Sequence, residues 1–278
     1  RTRKSPAGHS ARIRDQGSPP RYPCPMDSPQ MHAVGFDFKN MDALIKAAFD
    51  GGVRGVNTAP GFALIGAYTD PSGARVAFVQ RKGQAATVSA GLRSETTYRA
   101  QVVRFTDHLA RVALYSYGED GGLLTQFLAM VDDPIAYEQH DLAPGGGFSI
   151  IQALQVGALA MEVQVFEDEA AFQASDAARV GSMLMEAKSM VSPSLMGLQA
   201  ASLTIEEAGP TLLMGAVVDS VEVRRNELAE TNFQYVKASS IVDITIAVPM
   251  DQPVEPGNVI HGTFYATVNA GTWDNNAG

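Results

Sequence analysis

The sequence predicts a predominantly β protein of the α+β class, with antiparallel strands in two similar small barrel- or sandwich-like lobes and a few packing helices. Three observations predict this class. Short segments rich in apolar and β-branched residues recur along the chain, with turn residues between them. Helical periodicity is confined to two stretches, and a glycine-rich break at 142–147 separates two β-rich halves. With 278 residues, the chain is long enough to bury a core in each lobe.

The first predicted element is a helix over 41–50. Asn40 is a residue type that caps helix N-termini, and Gly51 follows where the helix is expected to end. Apolar residues recur at helical spacing, so one face of this helix is expected to pack against a sheet. These residues are Met41, Leu44, Ile45 and Ala48.

A series of strands is predicted after this helix. Residues 62–68 and 75–80 are expected to form a hairpin, because Pro71 and Gly73 between them suit a type I turn. Further strands are predicted at 85–90, 97–105, 110–117 and 123–131. Together with the helix, these strands make up the first predicted lobe, residues 31–143.

The second lobe is predicted over 148–278, with a helix near its middle. An apolar strand is expected from about 150 to 166. The acidic run that begins at Glu167 suits the start of a helical region, which extends to about 190 and is broken by Pro193. Strands are then predicted at 199–206, 211–223, 231–237, 241–248 and 258–268.

Similar patterns in the two lobes raise the hypothesis of an internal duplication. The matched features are the pairs Val102-Val103 and Val217-Val218, the aromatic pairs Tyr115/Tyr117 and Phe233/Tyr235, and the prolines Pro134 and Pro253. A duplication predicts that each lobe is a small five-stranded barrel related to the oligomer-binding type. Unrelated β-hairpins also produce such patterns, so this alternative remains open.

The charge is unevenly distributed along the chain. The net charge is −9, but residues 1–30 hold six basic and two acidic residues, which leaves 15 basic and 28 acidic residues in 31–278. We expect 1–30 to be a disordered basic tail, either an arm for nucleic acid or a membrane surface or a non-native leader. The acidic remainder argues against a nucleic-acid partner for the folded part.

No segment of the sequence suits secretion or insertion into a membrane. Residues 1–30 lack the apolar stretch of a secretory signal, and polar residues interrupt the most apolar stretch, 150–166. We therefore expect a cytoplasmic protein without a membrane partner. The one cysteine, Cys24, excludes a disulfide framework.

The sequence contains none of the usual catalytic motifs, and we predict neither a cofactor nor a metal site. The Gly-x-Ser-x-Gly and His-Glu-x-x-His patterns are absent. Glu138, His140 and Asp141 lie too close together to form a complete metal site by themselves. The acidic pair Asp132-Asp133 follows a predicted strand, where solvation and protection of a sheet edge explain it best.

His261 begins the strand that offers the most interesting candidate binding surface. Alternate residues of a strand share a face, so this histidine is expected beside Thr263, Tyr265 and Thr267. Such a face can line a shallow ligand groove, or it can be an ordinary solvated sheet face. The aromatic pairs leave a similar choice between ligand stacking and packing across strands. The candidate binding residues are His261, Thr263, Tyr265, Tyr115, Tyr117, Phe233 and Tyr235.

These observations favour a non-catalytic binding or interaction protein that uses a sheet face or a groove between the lobes. No motif identifies the partner, which is expected to be a protein or a small molecule. Two alternatives remain open. One is a hydrolase whose Asp, Glu and His residues come together only in the folded chain, and the other is a structural subunit that assembles into a homo-oligomer.

Overall fold

The computed structural model describes residues 28–56, 59–118, 121–143, 145–180 and 183–274. As predicted, the fold is mostly β with antiparallel sheets. The predicted disordered basic tail, 1–30 with Cys24, lies outside the described residues up to residue 27, but Pro29 and Gln30 are helical, so the prediction of disorder is wrong at its end. None of the helices in the described part of the chain is long and apolar enough to cross a membrane.

An N-terminal sheet of four strands comes first. Its strands are β1 (Arg54–Gly55), β2 (Phe62–Thr69), β3 (Ala74–Arg81) and β4 (Thr87–Leu92), in that spatial order and all antiparallel. Two helices, α1 (Pro29–Ala33) and α2 (Met41–Asp50), precede it. The sheet confirms the predicted hairpin, and its turn closes with a hydrogen bond from Gly73 N–H to the carbonyl of Asp70.

The helix predicted over 41–50 is confirmed as α2. The side chain of Asn40 accepts a hydrogen bond from Ala43 N–H at 2.9 Å, as expected of an N-cap residue. Leu44 and Ala48 are fully buried and pack with the N-terminal sheet. The amphipathic pattern therefore identified the buried face correctly.

The remaining strands belong mainly to one nine-stranded sheet that closes on itself twice. Five of them form the first barrel: β5 (Thr97–Arg104), β6 (Leu109–Tyr115), β7 (Leu123–Val131), β15 (Val259–Asn269) and β8 (Ser149–Phe166). β5 closes this barrel by pairing with β8. A short 3-10 helix, Pro134–Ala136, follows β7.

The second barrel has the same arrangement and shares two strands with the first. Its strands are β12 (Thr211–Asn226), β13 (Thr231–Ser239), β14 (Asp243–Pro249), β8 and β15. β12 closes it by pairing with β15. Because β8 and β15 run through both barrels, paired as antiparallel neighbours along most of their length, one hydrophobic core continues from one barrel into the other.

The N-terminal sheet packs on the outer face of the barrels. Its Val76 and Phe78 share a hydrophobic cluster with Leu159 of β8, Tyr235 of β13 and Tyr265 of β15. The helices α1 and α2 contribute to the same cluster. The N-terminal sheet therefore covers part of the outer face of β15, although the alternating pattern of that strand alone suggests an exposed face.

Two predicted elements of the second half are wrong. Instead of a helical region from 167 to about 190, a short helix α3 (Glu169–Ala174) and a 3-10 helix (Asp176–Ala178) precede the strands β9 (Arg179–Val180), β10 (Met183–Leu184) and β11 (Ser189–Val191). Ser175 ends α3, since its backbone is extended and its N–H and hydroxyl both donate to the carbonyl of Phe172.

The strand predicted at 199–206 is also wrong. Helix α4 (Pro193–Gln199) occupies the preceding residues, and turns follow it. Pro193 begins this helix rather than breaking one, because proline fits the first helical turn, where no N–H is needed. Ala201, with a φ of 53°, then turns the chain away from the helix.

Candidate functional site

Each barrel contains one parallel strand contact, and the strands separate beyond it. In the first barrel, β7 pairs with β15 through Met130–Thr267 and Val131–Val268. In the second barrel, β14 pairs with β8 over three positions that end at Ala247–Leu159. We name the places beyond these contacts the first seam and the second seam.

The chain itself fills the first seam. Asp132 and Asp133 follow β7 directly, and the segment after β15 lies against them. The carboxylate of Asp133 accepts hydrogen bonds from the backbone N–H groups of Ala270 at 2.9 Å and Thr272 at 3.2 Å. The indole N–H of Trp273 donates to the carbonyl of Asp132 at 2.8 Å.

A buried arginine connects the first seam to the N-terminal sheet. Arg75 lies in β3 and has no exposed surface. Its guanidinium donates to Oδ2 of Asp132 at 2.9 Å and to Oδ1 of Asp274 at 2.6 Å. Its Nε donates to Oγ1 of Thr69 at 2.9 Å. These bonds join the N-terminal sheet to Asp132 and to Asp274, and they leave the buried guanidinium fully paired.

The prediction that Asp132 and Asp133 are solvated is wrong. Their exposed fractions are 1% and 0%, because the segment after β15 and the N-terminal sheet cover them. Burial raises the pKa of Asp132 to about 7; Arg75 opposes this shift and Asp133 reinforces it. Burial likewise raises the pKa of Asp133 and of Tyr137. The pKa values of Asp132, Asp133 and Tyr137 are therefore shifted, but the folded chain encloses all three side chains.

The second seam is open. β14 ends at Pro249 and the chain turns away, whereas β8 continues to Phe166. A cavity of about 420 Å³ lies between them. Its walls are formed by Ala160 and Met161 of β8, by Pro249, Asp251 and Gln252 after β14, and by Ser28, Pro29, His32 and Asp37 near α1.

A second cavity, of about 520 Å³, continues along β8. Met161 and Gln252 line both cavities, so the two are adjacent parts of one depression, which we name the seam groove. The second part is further lined by Glu162, Val163 and Gln164 of β8, by Ala177 and Arg179, and by His261 and Gly262 of β15.

His32 is held between two carboxylates at one end of the seam groove. Its Nδ1 lies 2.7 Å from Oδ1 of Asp37, and its Nε2 lies 3.7 Å from Oδ1 of Asp251. Partial burial lowers the pKa of this imidazole, but the hydrogen bonds and charges of the two aspartates outweigh it, so the pKa is raised. His32 thereby links the segment after α1 to the loop after β14.

Two buried polar atoms in the groove wall have no hydrogen-bond partner within the described part of the chain. They are Nε2 of His261 and Oε1 of Gln252. His261 is only 7% exposed, and its ring packs against Phe172 with the centroids 5.0 Å apart. Burial lowers the pKa of His261, which favours the neutral imidazole. A ligand in the groove can supply the missing partners.

The other residues of the predicted β15 face do not line the seam groove. Thr267 is fully buried, and Tyr265 lies beneath the N-terminal sheet, where burial raises its pKa. Thr263 is half-buried. Of the four residues expected to share a groove, His261 alone is in the wall of this one, because the N-terminal layer covers the strand farther along.

The aromatic pairs lie elsewhere. Phe233 is fully buried, and Tyr235 is buried beneath the guanidinium of Arg224, which lies 3.4 Å from the ring centroid. Tyr115 donates from its hydroxyl to Gln101 at 3.0 Å. Tyr117 is 62% exposed. The structure therefore does not bring these pairs together with His261.

Sequence reasoning missed His32, Asp251 and Gln252. These residues flank the groove only because β8 and β14, which are distant in sequence, meet and then separate, and no local pattern reports such an event. Within the described residues, no group of three or more His, Cys, Asp or Glu side chains is arranged to hold a metal ion. No family model matches the chain, no curated protein matches its sequence, and no solved structure matches its fold.

Proposed function

We propose that this protein is a non-catalytic binding protein whose ligand occupies the seam groove. The observation that carries the proposal is the continuous groove at the second seam, with buried atoms of His261 and Gln252 left without hydrogen-bond partners in its wall. Unpartnered buried polar atoms also occur elsewhere in the described chain, including one oxygen each of Asp132 and Asp133 in the enclosed first seam. The two in the groove wall differ because they lie beside a cavity that a ligand can enter, and a ligand there would satisfy them.

The placement of the groups with a shifted pKa favours binding over hydrolysis, because His32 and His261 line different cavities of the groove. A hydrolase needs a nucleophile or activated water beside a group of matched pKa. The groove residues with a shifted pKa are His32, raised by its two aspartates, and His261, lowered by burial. The buried aspartates with raised pKa values, Asp132 and Asp133, belong to the filled first seam.

The test is to fill the groove and ask whether binding is lost. Met161 lines both parts of the groove, so Met161→Trp is expected to occupy the shared wall with an indole. Leu124→Trp on β7 is the matched control, because Leu124 is exposed and does not line the groove. A library of small hydrogen-bonding fragments is screened against the full chain by ligand-observed NMR.

We expect fragments to bind the unmodified chain and the Leu124→Trp variant, and to lose their binding to Met161→Trp. Circular dichroism and the melting temperature check that all three proteins are folded. Fragments that bind all three proteins equally, or no fragment binding to the folded chain, contradict the proposed function.

A further inference from the structure

The floor of the seam groove contains an unpaired strand edge. From Glu162 to Phe166, β8 pairs with β15 on one side, after a bulge at Met161. On its other side, no strand partner and no backbone hydrogen bond is found among the residues that the structure describes, since β14 has already separated. Glu162, Gln164 and Val165 are exposed along this stretch. A row of free backbone N–H and C=O groups is a template for another extended chain.

The first barrel shows how such a seam can be filled. There the segment after β15 lies in the seam, and its backbone N–H groups, at Ala270 and Thr272, bind the carboxylate of Asp133. At the second seam, which has the same strand arrangement, α1 packs against β8 and β14, but no described segment forms backbone hydrogen bonds with the outer edge of residues 162–166. This seam does have a carboxylate, that of Asp251, which is 69% exposed. The two barrels therefore differ in whether a turn of the chain closes the seam through hydrogen bonds.

We propose that the seam groove binds an extended, proline-free peptide segment of another protein, which adds to the free edge of β8 as a further strand. This inference rests on the proposed function and names the ligand class of the same groove. Strand addition obtains its affinity from main-chain hydrogen bonds and its specificity from alternate side chains.

The polar groups of the groove define the chemistry of that segment. Glu162 is exposed and makes no ion pair with another described residue, and the one ion-pair contact of Asp251 among the described residues is His32, at 3.7 Å. Arg179 lines the same cavity as Glu162, so the groove also carries one positive charge. A lysine or arginine in the peptide is the complement of these carboxylates. Oε1 of Gln252 requires a donor, which a peptide N–H or a hydroxyl side chain supplies.

The chain's own residues 19–27, directly before Ser28, suit this role poorly. Ser28 and Pro29 lie in the groove wall, so the preceding residues are the nearest piece of chain. Their sequence contains Pro19, Pro20, Pro23 and Pro25. Proline has no N–H to donate to a strand edge, and it is confined to edges and bulges of sheets. Residues 7–18 lack proline and carry Arg12 and Arg14, so a synthetic peptide of this sequence joins the binding test. Groove-dependent binding of that peptide would overturn the assignment of the occupant to a separate protein.

The test uses random linear heptapeptides displayed as a library and selected on the full chain, with counter-selection on the Met161→Trp variant. The tightest groove-dependent peptide is synthesised in three forms. One has free amides, one is N-methylated at its odd positions, and one is N-methylated at its even positions. In a strand, alternate residues point their N–H groups to opposite edges, so only one methylated series removes the donors that face β8.

We expect one methylated series to weaken binding by at least about tenfold, since it removes several hydrogen bonds, while the other series binds nearly as well as the free peptide. Hydrogen exchange is expected to slow over 161–166 on binding. The selected peptides should lack proline and carry at least one basic residue, and the Glu162→Gln variant should bind them more weakly.

Equal loss in both methylated series, unchanged exchange over 161–166, or failure to recover any groove-dependent peptide contradicts strand addition. In each of these cases the fragment screen still decides the proposed function separately. A groove that binds fragments but no peptide contradicts only the inference of strand addition. A groove that binds neither contradicts both that inference and the proposed function.

Discussion

The charge on Arg75 is tolerated in the interior because two carboxylates and a hydroxyl surround it. Burying a guanidinium costs several kcal/mol unless its charge and its donors are matched. Asp132 at 2.9 Å and Asp274 at 2.6 Å supply the charge, and Thr69 accepts from Nε. Asp132 in turn depends on the arginine, because burial raises the pKa of its carboxyl to about 7 even with the guanidinium beside it.

Replacing this arginine should therefore be costly. We expect Arg75→Met to lower the free energy of unfolding by about 3 kcal/mol or more, because it leaves Asp132 buried without its cation. The matched control is Arg81→Met, also on β3, whose partner Asp107 is partly exposed. That change should cost below about 1 kcal/mol. Urea unfolding near neutral pH measures the free energy of unfolding of both variants. Equal losses would show that the buried ion pair contributes no more to stability than the partly exposed one.

The two histidines of the seam groove should affect stability with opposite dependence on pH. His32 has a raised pKa, so its contribution is fully present below the ordinary value of 6.5 and is lost as the pH rises through the folded-state pKa. His261 has a lowered pKa, so a stability cost develops as the pH falls below 6.5, where the unfolded chain takes up a proton first.

The variants His32→Asn and His261→Asn separate these contributions. Relative to the unmodified chain, His32→Asn should lose more stability below pH 6.5 than above it. His261→Asn should gain relative stability below pH 6.5. Urea unfolding on both sides of this pH provides the data, and NMR titration of the ring protons assigns each pKa. The same pH trend in both variants would refute the assignment.

Among the elements, β15 combines two roles, since it pairs with β8 along most of its length and also closes the second barrel against β12. Gly262 lies at the close approach to β8, with a φ of +150°, and a Cβ atom there would collide with the backbone oxygen of Glu162. Only glycine accepts this conformation and this approach without displacement of a strand.

Gly262→Ala is therefore expected to destabilise the protein by about 2 kcal/mol, through backbone strain and displacement of β8 at the groove. Gly209→Ala serves as control, because it has no positive φ and its added Cβ meets nothing within 4 Å. The control should change stability by less than about 0.5 kcal/mol. Thermal and urea unfolding compare the two variants. Unchanged stability of the Gly262→Ala variant would mean that β8 and β15 can move apart at this position at little cost.

At the scale of the whole molecule, the shared strands make the two barrels dependent on each other. Neither barrel has a complete ring of strands without both β8 and β15, and one core runs through both. The N-terminal sheet is tied to the same strands through Leu159 and Tyr265. The parts of the chain are therefore expected to unfold together rather than one lobe at a time.

A single cooperative transition is the predicted result. Trp273, the only tryptophan of the chain, lies in the first seam, whereas far-ultraviolet circular dichroism reports on all strands. In urea, the two signals should change with the same midpoint. A tryptophan transition that precedes the loss of the second barrel's strands would show that the lobes are separate folding units.

The repeated strand arrangement also bears on the hypothesis of duplication. β5, β6, β7 and β8 occupy in the first barrel the places that β12, β13, β14 and β15 occupy in the second. The valine pairs, with Tyr115 and the second aromatic pair, fall on corresponding strands. We propose that the chain arose by duplication, after which the first seam was filled and the second stayed open.

Local chemistry is sufficient to predict those elements whose hydrogen bonds are local. Asn40 caps α2, the turn at Pro71 joins β2 to β3, and alternation places the strands of both halves close to where they occur. The same reasoning failed between residues 167 and 206. There the elements are short, and contacts with the barrels decide whether a segment is helix, strand or turn.

The sequence by itself determined the β class, the amphipathic helix, most strand positions and His261 as a residue of interest. Only the tertiary structure decided that Asp132 is buried beside Arg75, that Tyr265 is covered, and that β8 retains a free edge. The physical reason is that periodicity and turn chemistry act over a few residues. Burial and an open seam depend on which distant strands meet, and on where they separate again.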